Sequence, residues 1–364
     1  MRPRVFGAVT AVAGIVYTVL GLALIGEPRV HMGLMGLGAA YVFAAGVAVV
    51  YAASFRGVGP REEFMAVHTS STVVLPLVAA YFWDYLAPVL AVSAASGLYT
   101  VYRYVGRVEG DARVPALLLC YPYIAVLPLA ALLYAGSVGF LEFYLLLAYL
   151  FPVPMIYAVS LHSFPKTYGY TFNAPWAGVM LALHALGVAA ALAGFREGYV
   201  LMAGSMVPYL LAIGLYRVSE AAGFASRLGG AARRAHNYLV MGYVFAAVAV
   251  AYALYVQVLA YLGEAPVLQV IHAVLMGFVG MHIYTHAPLM LPVMLATPTA
   301  RRYSPAPYVL LLAATLSRYW HPEASYVLMA LSLAALVFTV KPVRRKIISP
   351  HSKETNTSRR SSAR

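Results

Sequence analysis

The chain has 364 residues, of which 62% are hydrophobic and only 10% charged, with a formal net charge of +13. That composition excludes a soluble globular domain and describes a polytopic membrane protein whose first partner is the lipid bilayer. The basic excess does not imply nucleic acid, because the arginines and lysines sit in short loops between apolar runs, where inside-positive topology accounts for them.

Apolar runs fall at about 4–26, 30–54, 64–83, 86–104, 114–135, 139–162, 175–194, 198–217, 236–262, 265–290, 306–320 and 322–340. An all-α bundle of about twelve transmembrane helices is expected, in one domain over 1–346, as a multi-pass protein of the cell membrane. The first run follows Met1-Arg2-Pro3-Arg4 and reads as a retained helix, since it is long enough to span and lacks a small-residue cleavage pattern. Pro76 should kink the third helix, and Pro152 and Pro154 the sixth. With both termini in the cytoplasm, all of the 25 lysines and arginines except Arg29, Arg196 and Arg318 fall on the cytoplasmic side, as the positive-inside rule requires. The longest internal loops are expected at 163–174 and 218–235. Residues 347–364 are too polar to pack and are expected to form a disordered basic tail, and the stretch from Lys341 to Arg364 could attract anionic headgroups.

Metal chemistry in this chain must use histidine. The single cysteine, Cys120, excludes an intrachain disulfide, a Cys-x-x-Cys-His haem attachment and a thiolate cluster. The tenth run carries His272, His282 and His286. At 100° per residue the latter two lie about 80° and 40° from the first, so an ideal helix puts all three on one side. Ionisable groups facing hydrocarbon are costly and normally turn into the bundle. Three imidazoles on one stripe suggest a metal or haem seam, set against histidines that merely bond to neighbouring helices.

His31-Met-Gly-Leu-Met-Gly-Leu in the second run and His272-Ala-Val-Leu-Met-Gly-Phe in the tenth share His-x-x-Leu-Met-Gly and an apolar residue. Both helices run in the same direction in the topology above. Gly36 and Gly277 would admit either a flat macrocycle or a neighbouring helix. One difficulty is depth: the boundaries above place His31 in the first turn of its helix but His272 about 10 Å in.

These two segments, with Arg233-Arg234-Ala235-His236-Asn237-Tyr238 at the entry to the ninth helix, resemble the NnrS family of twelve-helix, haem- and copper-containing membrane proteins that accompany denitrification and nitric-oxide stress. Where that family carries Gly-Arg-x-x-Pro, this chain has Leu161-His162-Ser163-Phe164-Pro165. The layout is also similar to subunit I of haem-copper oxidases, whose second and tenth helices hold the low-spin haem. The resemblance implies haem b with His31 and His272 as axial ligands. The oxidase copper site needs histidines in helices six and seven that are absent here, so complete dioxygen reduction is not expected.

His184, mid-way along the seventh run, is a further candidate ligand, with a satisfied buried histidine as the alternative. His282 and His286, at i and i+4, can share one metal ion, and His236 or His162 would complete a copper site. Asn173-Ala174-Pro175-Trp176 reads as the capped start of the seventh helix. The tyrosines, with Trp83, Trp176 and Trp320, suit interfaces and core packing. No carboxylate lies mid-helix, which argues against a carboxylate-coupled pump. The leading expectation is a haem-binding protein of electron transfer or nitric-oxide-related redox handling, meeting a redox partner or a small gaseous ligand. The alternative is a twelve-helix secondary transporter for a metal ion or small solute.

Overall fold

The computed structural model describes residues 2–55, 57–294 and 303–340. The expected tail at 347–364 lies outside them. The chain is an all-α bundle with no strand among the described residues. Its helices are α1 (Pro3–Ala23), α2 (Pro28–Ala53), α3 (Glu62–Tyr81), α4 (Trp83–Val105), α5 (Gly110–Tyr134), α6 (Phe140–Thr167), α7 (Ala174–Leu192), α8 (Glu197–Ser226), α9 (Gly230–Tyr261), α10 (267–294), α11 (Ala306–Ser317) and α12 (Pro322–Val340). Eleven are long and apolar enough to cross a membrane, and α11, at 12 residues, is shorter. It covers roughly 18 Å of a hydrocarbon core about 30 Å thick.

α6 and α2 form the centre: 94% and 78% of their spanning windows are buried, against 28% for α12. The outer helices turn Val12, Val16, Leu186, Val337 and Phe338 outward, an apolar surface of the kind a bilayer covers. Pro152 breaks α6 as expected. Phe151, whose φ/ψ of −120/−71 is not helical, separates Phe140–Leu150 from Pro152–Thr167. Pro76, by contrast, stays inside an unbroken α3.

The loop expected at 218–235 is mostly helix. After Gly214, which adopts a left-handed φ of 75°, the chain resumes as Val218–Ser226 and α9 already starts at Gly230. Ala221 and Ala225 are buried, with Phe224 packed beside Tyr168 and His236. This short amphipathic segment has too few apolar residues to stand out in a hydropathy reading, yet enough for one buried stripe.

α7 and α8 cross with their backbones nearly touching. A Cβ on Gly198 would lie 2.4 Å from the Ala191 nitrogen and 2.5 Å from the Gly187 oxygen. Backbone cannot yield as a side chain can, so Gly198→Val should force the pair apart and cost about 1–3 kcal/mol or more. A thermal unfolding midpoint in detergent equal to that of the parent protein would refute this packing.

Two helices depart from regular α geometry in the same way. In α2 the pattern widens to a π-helix over Gly33–Val42, and in α10 over Ala273–Val279, in both cases directly after the histidine end of the shared motif. π-turns are rare and gather at functional sites. The sequence echo therefore has a structural counterpart.

Candidate functional site

α1, α2, α10 and α12 enclose a slot with about 1140 Å³ of atom-free space, counting its open side. His31 and His272 line one end; Gly14, Met35, Ala39, Phe43, Met276 and Leu333 are among the apolar residues along its length. The depth difficulty disappears with the observed boundaries: α2 starts at Pro28 and α10 at Val267, which leaves the two histidines only about 3 Å apart in distance from their helix starts.

The two imidazoles are tethered through the same nitrogen. His31 Nδ1 donates to the Gly21 carbonyl at 2.8 Å, and His272 Nδ1 donates to the Leu268 carbonyl at 2.7 Å. Gly21 belongs to the last turn of α1, where carbonyls lack partners inside the helix, so the bond satisfies both groups. A carbonyl can only accept, which fixes the proton on Nδ1 and leaves the Nε2 lone pair of each ring as an acceptor. Neither Nε2 has a hydrogen-bond partner among the described residues. This is the arrangement in which metal-ligating histidines are held, one nitrogen anchored to a backbone carbonyl and the other presented.

Beside the histidines stands a cation that the sequence did not single out. Arg318, just past the end of α11, is only 8% exposed. Its guanidinium lies 4.2 Å from the centre of the Tyr326 ring, bonds the Tyr326 hydroxyl, and interacts electrostatically with both His31 and His272. Tyr326 in turn meets His31 edge-on, with ring centres 6.4 Å apart, and lines the slot. Arg318 Nε has no partner, and among the described residues no carboxylate pairs with the group. A buried cation without a counter-charge is costly; Arg318 does not itself line the slot, but Tyr326, which it bonds, does. In the sequence Arg318 was merely one of three arginines on the poorly charged side. Its isolation there was the available signal.

The π segment in α10 also corrects the single histidine stripe. Each π-turn accommodates an extra residue and rotates everything beyond it by roughly 100°. His272 faces the slot, whereas His282 and His286 border a second, smaller cavity of about 450 Å³ of atom-free space between α2, α6 and α10. Phe43, Val279 and Ile283 border both cavities and form the partition.

His282 is fully engaged: Nδ1 donates to the Phe278 carbonyl at 2.8 Å and Nε2 accepts from the Tyr209 hydroxyl at 2.8 Å. His286 Nε2 lies 3.0 Å from the Tyr243 hydroxyl. His236 packs against Tyr168 and Phe224, and His162 against Tyr51 and Phe55. His282 and His286 therefore share one cavity and the Tyr243 ring, while His236 and His162 pack among other aromatic residues and line neither cavity. Among the described residues no three of His, Cys, Asp and Glu are placed to hold a metal together. The i, i+4 spacing brought His282 and His286 to one cavity but could not foresee the tyrosines of α8 and α9 that reach them.

His184 lines neither cavity. Its Nδ1 lies 3.1 Å from the Tyr121 hydroxyl and its Nε2 lies 3.0 Å from the Tyr149 carbonyl, which accepts. This is a satisfied buried histidine rather than a presented ligand. His184→Phe should leave any cofactor spectrum unchanged while costing about 1–3 kcal/mol in stability, through the Tyr149 carbonyl left unpaired. A spectral change in that variant would return His184 to the site.

Gly36 borders the slot, and a Cβ there would lie 2.7 Å from the Tyr144 ring of α6. Gly277 does not border it; its missing Cβ makes room for Thr315 and Ala249 of the neighbouring helices. Close helix packing thus accounts for Gly277, and only Gly36 touches both the packing and the slot. No family model, curated protein or solved structure matches the chain.

Proposed function

We propose that this membrane bundle binds a b-type haem in the slot between α1, α2, α10 and α12, with His31 and His272 as axial ligands, and serves electron transfer or nitric-oxide-related redox handling in the manner of the NnrS family it resembles. One observation carries the reading: imidazoles from two helices with matching motifs enter one apolar cavity, each with Nδ1 tied to a carbonyl and Nε2 uncommitted. The residues present fit the group. Two neutral imidazoles suit iron, the apolar walls suit a macrocycle, and Arg318 supplies the positive charge that haem carboxylates need.

When bound, haem supplies reversible one-electron exchange, and two histidine ligands in an apolar surround favour a low-spin, electron-carrying iron. The chain's own contribution is to fix ring orientation through Gly21 and Leu268, to exclude water with methionine and alanine walls, and to hold Arg318 against Tyr326. Copper has weaker support, because His282 would first have to release Tyr209. The transporter alternative expects helices unwound near mid-membrane; α2 and α10 widen but stay helical.

The deciding measurement is the optical spectrum of protein purified after haem-supplemented expression. A Soret band with split visible bands on reduction, at near one haem per chain, is expected. A folded but colourless protein would overturn the proposal.

A further inference from the structure

The second cavity adjoins a polar cluster that the haem reading does not use. Tyr243 of α9 touches two groups at once: its hydroxyl lies 3.0 Å from His286 Nε2 and 2.9 Å from Ser160 Oγ. A phenol has one proton. In this geometry Tyr243 donates to Ser160 and accepts from a His286 ring protonated on Nε2. Turning the phenol proton to His286 instead gives a second arrangement, and passing from one to the other moves a proton through the phenol. The neighbouring pair differs, since Phe278 locks the His282 tautomer and Tyr209 can only donate to it. One histidine is fixed and the other is free to switch.

A second observation extends the chain toward the surface. Ser163, one turn along α6 from Ser160, sits beside the Tyr243 phenol, and Tyr170 is an electrostatic neighbour of the same group. Ser163 Oγ and Tyr170 Oη are both buried and both lack a protein partner. Buried polar atoms are nearly always satisfied, by water where protein does not reach. Tyr170 lies under the guanidinium of Arg217, 4.3 Å from its ring centre, and Arg217 is paired with the exposed Glu220. A route thus leads from a surface ion pair, past Tyr170 and Ser163, to Tyr243 and His286.

We propose that this route is a hydrated proton path: water enters beneath the Arg217–Glu220 pair, bridges Tyr170 and Ser163, and hands protons through Tyr243 to His286 at the cavity next to the slot. The transfer is balanced, because each group that gains a proton on one side releases one on the other. The path does not depend on what occupies the slot. If haem is there, Phe43, Val279 and Ile283 border both its compartment and the cavity that receives the proton.

Solvent exchange of the histidine ring protons tests the path in the full-length protein in detergent, with ¹⁵N-labelled histidine and resonances assigned by loss in His286→Gln and His282→Gln. The His286 ring proton is expected to exchange at least tenfold faster than that of His282; because His282 is buried and His286 only half-buried, the Tyr243 and Tyr170 variants decide whether the path causes the difference. Tyr243→Phe should remove that advantage, and Tyr170→Phe should reduce it several-fold while leaving His282 unchanged. Equal exchange at His286 and His282 in the parent protein would overturn the proposal, as would an unchanged His286 rate in Tyr243→Phe. If Tyr243→Phe does not fold, Tyr170→Phe alone decides by the same criterion.

Discussion

Alanine at either His31 or His272 should abolish the low-spin spectrum and lower haem retention through purification at least tenfold. The two positions are expected to behave alike, since each ring is held by one carbonyl and offers one nitrogen to the same cavity. In the protein without haem the cost should be small. Each variant loses a single buried hydrogen bond, worth about 1 kcal/mol net, with a further penalty from the carbonyl left behind. Far-UV circular dichroism and the size-exclusion profile should therefore match the parent. His31→Met separates a ligand from a packing residue. A thioether can replace an imidazole on iron, so this variant should keep six-coordinate haem and raise its midpoint potential. A purely structural histidine would give the same spectrum in His31→Met as in the parent. Haem retained with unchanged bands in both alanine variants would remove the axial assignment altogether.

The spans were legible because crossing a bilayer demands long apolar runs, and twelve such runs separated by short charged loops leave little freedom. The pairing of His31 with His272 was legible for a related reason: a repeated motif in like-directed helices implies a repeated environment. What the sequence could not supply was the phase of α10. A π segment looks like any apolar stretch of Ala, Val, Leu, Met and Gly, yet it turns His282 and His286 out of the stripe that an ideal helix predicts. The tyrosines were passed over as packing and interface residues because partners on another helix leave no local pattern. Tyr209 and Tyr243 lie far from α10 in the chain, and only assembly of the bundle makes them bond His282 and His286. The segment Val218–Ser226 was hidden by its brevity, since a two-turn helix with two buried alanines is indistinguishable from loop by composition.

Arg318 gives the second large effect, and its sign separates two roles. If the guanidinium merely braces Tyr326 and the α11–α12 turn, removing it should weaken the protein whether or not the slot is filled. If it waits for an anion, the protein without haem already bears the cost of a buried, unpaired cation, and Arg318→Leu should leave its unfolding midpoint unchanged or raise it. The loaded protein should respond oppositely. Loss of a charge-assisted contact to a haem carboxylate is expected to weaken haem binding about 10- to 100-fold, or roughly 1.4–2.8 kcal/mol. The midpoint potential should fall by some tens of millivolts, because a positive charge near the iron favours the state that carries one more electron. Arg318→Lys should recover the potential better than the affinity, since lysine restores the charge but not the planar fork. Parallel destabilisation of both forms, with the potential unmoved, would confine Arg318 to the scaffold and would leave the proposed slot without its counter-charge.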